Sequence, residues 1–318
     1  MTDALQITRD GGVVTLTMNE PASRNALSDA MREGLSSAVQ DLSVDADLQA
    51  VILTGTGGVF CAGGDLKKML ANHKAGLVTG AEDILPRMKY LHRWITLLRD
   101  LQVPVIVAVD GPAYGAGLGL ALTGDIILAS ERASFNASFC KVGAVPDGNL
   151  FYSLPRMIGL QRARELFYTG RTVHAEEAQR LGICMEVLAV DDLLPRAQAI
   201  ARMMCDTSRT AFAMTKAISA RSMELDSNAL LELEAQAQAI CLSSTYHKDA
   251  IDRFTKKQAP RFDFRSAVHV RRNRATDFPV ALMQKLFIGS QRFLFGSAVQ
   301  VRTPSRSSAS ICAASSPR

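Results

Sequence analysis

The sequence predicts an α/β protein, and three observations predict it. Short β-branched apolar runs alternate with amphipathic helical stretches through the first 190 residues. Strand signals then fade and a series of helices follows. A glycine-rich segment stands where a strand meets a helix, at residues 107–125 (VAVDGPAYGAGLGLALTGD).

That segment organises the rest. Residues 103–109, broken by Pro104, read as a buried strand, and Asp110-Gly111-Pro112 reads as a turn. Gly115, Ala116, Gly117 and Gly119 then lead into Leu120. Small residues at these positions let another backbone or a ligand come close. Where a helix begins they leave free N–H groups aimed forward. Two uses are open on this stretch alone: holding a developing negative charge, or packing a helix tightly.

In chain order, residues 5–9 and 13–18 flank Asp10-Gly11-Gly12, a hairpin signal. Pro21 and Asn25 mark a loop. Ser28 is placed to cap a helix whose apolar positions are Met31, Leu35, Val39 and Leu42. Residues 50–53 form a buried strand ahead of a second glycine-rich stretch, GTGGVFCAGGDL at 55–66. A helix starts near Lys67, residues 72–83 read as a mobile polar loop, and 84–99 as a helix. Strands follow at 126–129 and 134–136. Beyond Leu150 the pattern is helical, at 150–158, 161–168, 175–181, 192–203, 209–221, 228–242 and 248–257, with one short strand near 186–188. The expected organisation is a core over 1–190, a helical region over 191–265, and an extension over 266–318.

The chain has 318 residues, 47% hydrophobic and 21% charged, the balance of an ordinary globular protein. Its net charge of +5 is unevenly spread. Residues 266–318 hold eight Lys/Arg and one acidic residue, while the other 265 hold 28 basic and 30 acidic. The body therefore carries no basic signature for nucleic acid. The extension is basic and Ser-rich, which predicts disorder; a basic helix on a membrane surface is the alternative. Six scattered cysteines without a C-x-x-C pair read as reduced thiols. No body segment approaches 18 uninterrupted apolar residues and the first twenty lack a signal-peptide core, so a cytoplasmic protein without stable membrane insertion is expected.

Phe60-Cys61-Ala62-Gly63-Gly64-Asp65-Leu66 resembles the F-x-A-G-x-D-[IL] segment of the enoyl-coenzyme A hydratase/isomerase (crotonase) superfamily. Residues 108–117 (AVDGPAYGAG) resemble the same family's A-V-x-G-x-A-x-G-x-G segment, in the right order and spacing. PASRNAL at 21–27 matches its opening loop, and the similarity covers roughly residues 5–262. The resemblance implies a crotonase-like (ClpP/crotonase) spiral of repeated ββα units with a C-terminal helical trimerisation region. It implies a homotrimer or hexamer acting on an acyl-coenzyme A, with coenzyme A as part of the substrate and no separate cofactor or metal. The backbone N–H groups of Gly64 and Ala116 would form an oxyanion hole for the thioester carbonyl. Such donors contribute about 3 kcal/mol each to a transition state that builds enolate charge. The resemblance also makes the Ala62 and Leu66 carbonyls contacts of the adenine amino group. It places Arg24 near the phosphates, where a guanidinium suits, with Ala26, Gly63, Asp65 and Gly115 completing the binding segments. A solvated loop charge is the other reading of Arg24.

Hydratases of this family use two glutamates. At the corresponding positions this chain has Gly119 and Phe139, and neither side chain transfers a proton. Residues 141–148 (KVGAVPDG) resemble the segment where isomerases and ring-modifying members carry a single acid. Asp147 is thus the candidate base for a double-bond shift, which one shuttling carboxylate suffices to catalyse. Read without the resemblance, Pro146-Asp147-Gly148 is an ordinary turn. Phe139 would dry the site and raise a carboxyl pKa. Hydration by a nonstandard arrangement and a non-catalytic acyl-coenzyme A-binding role stay as alternatives. Other signals weigh less. The glycines lack the Rossmann spacing because Leu120 occupies the third position. The five histidines, His92 among them, show no metal spacing and read as surface or helix positions. Cys61 reads as a small buried packer, Trp94 as core or acyl-pocket wall, and Lys216 as a solvated helix charge or a phosphate contact.

Overall fold

A computed structural model describes residues 3–77 and 80–264; the extension at 266–318 lies outside the described residues. Nine strands and eleven α-helices are described. The strands are β1 (Leu5–Asp10), β2 (Val13–Met18), β3 (Ala50–Gly55), β4 (Val105–Val109), β5 (Pro112–Tyr114), β6 (Ile126–Ser130), β7 (Ser134–Asn136), β8 (Val173–His174) and β9 (Glu186–Leu188). The helices of the first half are α1 (Asp29–Ser43), α2 (Leu66–Lys74), α3 (Ala81–Arg99) and α4 (Ala116–Ala121). Those of the second half are α5 (Leu150–Ile158), α6 (Leu160–Thr169), α7 (Ala175–Leu181), α8 (Val190–Met204), α9 (Arg209–Ala220), α10 (Ser227–Ser243) and α11 (Thr245–Thr255).

A six-stranded sheet runs in the order β1-β2-β3-β4-β6-β9, antiparallel only at the β1–β2 hairpin. Alternate residues of its strands enter two different cores, as a two-residue side-chain period requires. Ala50, Ile52, Ile106, Ala108 and Leu128 face Leu193, Ala197 and Ile200 of α8. Val51, Leu53, Val105 and Val107 face the larger core, which holds Met31, Leu35 and Val39 of α1 and Trp94, Ile95 and Leu98 of α3. Burial on both faces explains why these strands read as unbroken apolar runs. Trp94 and Leu91 belong to that core. Ser28 caps α1 as expected, its hydroxyl accepting from the Met31 N–H at 3.1 Å.

A second, shorter layer follows the first. β5 pairs in parallel with β7, and β7 antiparallel with β8. Isolated bridges join Cys61 to Ala113 and Leu27 to Gly64. One row of partners therefore crosses the layer, Cys61, Ala113, Phe135 and Val173, and every member is buried. Each long strand from β2 onward to β6 is thus followed by a short extended segment and then a helix. This is a spiral of ββα turns. The turn expected at Asp110-Gly111-Pro112 is shorter than its tripeptide, since β5 begins at Pro112. Likewise α2 extends to Lys74 and α3 begins at Ala81, so both ends of the segment expected as a loop are helical.

From α9 to α11 no residue is buried, although Met223, Leu231, Ile251 and Phe254 are large and apolar. The base of α9 is pinned to the sheet by Lys216, whose ammonium donates to Asp125 Oδ2 at 2.7 Å and to the Val103 carbonyl at 3.2 Å. Lys216 is therefore neither a solvated charge nor free to meet a phosphate. No helix among the described residues is long and apolar enough to cross a membrane.

Candidate active site

Two loops meet at the ends of β3 and β4. The loop after β3 is stitched to the second layer by Cys61 N–H to Pro112 O (3.0 Å) and Tyr114 N–H to Cys61 O (2.9 Å). It is tied to the opening loop by Ala62 N–H to Arg24 O (3.0 Å) and Leu27 N–H to Gly63 O (2.8 Å). Gly63 sits at φ +91°, and a Cβ there would lie 2.6 Å from the Tyr114 carbonyl and 3.3 Å from the Ala116 nitrogen. Only glycine allows that approach. The Gly63-Gly64 and Gly115-Ala116 segments consequently abut. Among the described residues no acceptor meets the N–H of Gly64 or of Ala116, the latter being the first residue of α4.

Asp147 joins them through backbone packing. A Cβ on Gly119 would lie 2.6 Å from the Gly148 carbonyl and 2.9 Å from its Cα. A Cβ on Gly148 would lie 3.5 Å from the Ala116 carbonyl. The 147–148 backbone thus rests directly on the first turns of α4, in the space a side chain at 119 would need. Gly148 and Asn149 both have positive φ, at 59° and 69°, which turns the chain sharply into α5. The turn reading of Pro146-Asp147-Gly148 and an inward carboxyl hold together. Asp147 Oδ1 is buried and accepts no hydrogen bond. Burial pushes the carboxyl up to about 6, while the His92 imidazole on α3 pulls it the other way. Phe139 is buried, and its ring edge lies 3.8 Å from where a Gly115 Cβ would stand.

The remaining predicted residues surround this point. Arg24 is exposed at φ +57°, with no ion-pair partner among the described residues. Ala26 is buried beneath it, Ala62 is half-buried, and Leu66 is exposed at the start of α2. Asp65 caps α2, its Oδ1 accepting from the Lys68 N–H at 3.0 Å. A cavity of about 760 Å³ opens at the start of α2, lined by Leu27, Asp65, Met69, Ile84 and Met88 and by the charged Arg32 and Lys68. The Met69 methyl lies 2.8 Å from where a Gly64 Cβ would stand. A larger cavity, about 1240 Å³, lies against α9; neither cavity is lined by Gly64, Ala116 or Asp147.

Two residues of the site were not foreseen. Asn25, fully buried, donates to the Thr56 and Val59 carbonyls at 3.0 and 2.7 Å and accepts from the Glu20 N–H at 2.8 Å. It locks the Arg24 loop to the loop after β3. An asparagine after a loop proline is a weak turn signal and nothing in the sequence names its partners. The second is His92, whose charge reaches Asp147. Cys61 is a buried packer as expected, its thiol pushed up to about 12 by burial.

Known proteins share this fold. The structure superposes on the crystal structure of an enoyl-CoA hydratase/isomerase from Cupriavidus metallidurans CH34 with a TM-score of 0.77 and 38% identity, covering 82% of this chain and 97% of that one. The ββα spiral is the crotonase fold. The chain is 34% identical over 251 residues to a probable enoyl-CoA hydratase of Mycobacterium leprae (strain TN), covering 79% of this chain and 94% of the relative. It is 33% identical over 255 residues to the 1,2-epoxyphenylacetyl-CoA isomerase of Escherichia coli (strain K12), covering 79% and 95%. Residues 8–265 match the enoyl-CoA hydratase/isomerase family as a whole. The chain belongs to that family, whose members are enzymes acting on acyl-CoA.

Proposed function

We propose that this protein is an enoyl-CoA isomerase that shifts a double bond with one carboxylate base, Asp147, and a backbone oxyanion hole, Gly64 and Ala116. The observation that carries the reading is the Asp147 carboxyl, whose Oδ1 is buried without a hydrogen-bond partner and whose neighbour Gly148 packs on the start of α4. A carboxyl in that state holds its proton loosely enough to return it and tightly enough to take it from a carbon beside a thioester. The two unpartnered amides stabilise the enolate oxygen that forms when the C2 proton leaves. The same carboxyl then returns the proton at C4. Gly119 and Phe139 take no part in proton transfer, and Phe139 keeps water from the reacting carbons.

Coenzyme A lies along the two loops. The Ala62 and Leu66 carbonyls accept from the adenine amino group, Arg24 meets the phosphates, and Ala26, Gly63, Asp65 and Gly115 shape the path. The cavity at the start of α2 suits an acyl group, since Leu27, Met69, Ile84 and Met88 give it an apolar wall. The apolar side chains left exposed on α9–α11 support assembly as a homotrimer or hexamer. Water addition is the second reading, favoured by the hydratase name of the Mycobacterium relative and weakened by the single carboxyl.

A paired assay on 3-enoyl- and 2-enoyl-CoA tests the proposal. The wild type is expected to convert the 3-enoyl ester, and Asp147→Asn to lose about 10²- to 10⁴-fold in rate while still binding a saturated acyl-CoA. Equal isomerisation by the variant would remove Asp147 as the base. Binding without turnover by the wild type would favour the non-catalytic role.

A further inference from the structure

We propose that Asn25 is the positioning residue of the coenzyme A segment, the side chain that fixes where Arg24 and Ala62 meet the nucleotide end of the ligand. The inference rests on the coenzyme A reading above and deepens it.

Arg24 and Asn25 both stand in the left-handed region, at φ 57° and 52°. Asparagine tolerates that region, whereas arginine adopts it only under constraint. The constraint can be followed atom by atom. The Arg24 N–H donates to the Pro21 carbonyl and the Asn25 N–H to the Glu20 carbonyl, both at 2.9 Å. The Asn25 side chain adds three bonds. Its Oδ1 accepts from the Glu20 N–H at 2.8 Å, and its Nδ2 donates to the Thr56 and Val59 carbonyls at 3.0 and 2.7 Å. Those two carbonyls belong to the stretch that runs on into Ala62, Gly63 and Gly64. Glycines permit the approach, since a Cβ on Gly55 would lie 2.9 Å from Asn25 Nδ2 and one on Gly57 2.6 Å from the Pro21 Cβ.

What this turn leaves free is the Arg24 guanidinium. The Arg24 carbonyl accepts from the Ala62 N–H at 3.0 Å, while the exposed guanidinium has neither hydrogen bond nor ion pair among the described residues. Backbone strain maintained at an unpartnered cation has a use if the cation must wait in place for an anion. A guanidinium on a loose loop would surrender backbone freedom on meeting a phosphate, and the Asn25 amide has removed that freedom beforehand. Asn25 is itself fully buried. It acts through Arg24 and Ala62.

Shortening the ligand separates this role from a merely structural one. Hexanoyl-CoA carries the nucleotide and its phosphates; hexanoyl-pantetheine keeps the thioester and lacks both. Calorimetry on the full chain measures each ester with the wild type, Asn25→Gly, Arg24→Ala and the double variant. Glycine suits a positive φ, so Asn25→Gly removes the side-chain bonds without adding strain. Urea denaturation checks its fold, and Asn25→Ser, which leaves room for water in place of the amide, is the second variant should the first not fold. Asn25→Gly is expected to weaken hexanoyl-CoA about tenfold, the worth of one hydrogen bond to a charged group, and to leave hexanoyl-pantetheine unchanged. In the double variant the loss should fall well short of the product of the single losses. An equal loss on both esters, no loss on either, or losses that multiply would overturn the role of Asn25. A wild type that binds both esters equally would overturn the coenzyme A reading of this loop as well, and would leave Asp147 and the Gly64 and Ala116 amides untouched.

Discussion

Asp147 is held where its ionisation is expensive, and two measurable effects follow. As the proposed base it must be deprotonated, so kcat/KM should rise about tenfold per pH unit below about 6 and level off above it. A pH–rate profile without that limb would place the titrating group elsewhere. The same shift acts on stability. The folded carboxyl, at about 6 against an ordinary 3.8, binds its proton more tightly than the unfolded one. Stability is therefore full below pH 4 on this account and falls as pH rises through 6. Asp147→Asn should gain on the order of 2 kcal/mol at pH 8 and little at pH 4, read by urea denaturation at both pH values. A site residue whose removal stabilises the fold while abolishing activity is what a desolvated functional group predicts.

At the level of elements, helix α4 and the turn that leads into α5 are fitted backbone to backbone at Gly119 and Gly148. Gly119→Glu should not create a second acid. Its Cβ would enter the Gly148 carbonyl, displacing the turn that carries Asp147. The expected result is a loss of isomerisation together with about 1–3 kcal/mol of stability, the usual range for overpacking, measured by activity and urea midpoint. The α9 anchor is a separate case. Lys216→Met would leave the Asp125 side chain, 24% exposed, with only the Val105 N–H at 2.8 Å and should cost about 3 kcal/mol. Adding Asp125→Asn should recover part of that loss; no recovery would mean that the ion pair is not the anchor. What was legible in the sequence follows from these distances. Ser28 and the glycine stretches announce themselves because capping and close approach demand particular residue types in place. The long strands announce themselves because both faces are apolar. β5 and β8, three and two residues long, are too short to show a period. Lys216 finds its partner 91 residues away, which no local spacing could announce. Helical spacing alone left Lys216 as a surface charge.

For the whole molecule, the helical region is the part that the isolated chain leaves unfinished. α9, α10 and α11 bury no residue, and Phe254 is 83% exposed. Light scattering should accordingly give a mass of three or six chains, and Phe254→Asp with Leu231→Asp should reduce it; a monomeric wild type would remove the assembly proposed here. The second layer carries a different consequence. Gly64 and Ala116 are joined in space only because the row through Cys61 and Ala113 has closed. That bridge links segments 52 residues apart in sequence, and such contacts form late, after the entropy of a long loop has been surrendered. On the proposed function, an incompletely wound chain therefore lacks the hole that would bind a thioester. Ligand capture and completion of the spiral become one event, and an acyl-CoA ester in the refolding mixture would act as a latch on the last turn.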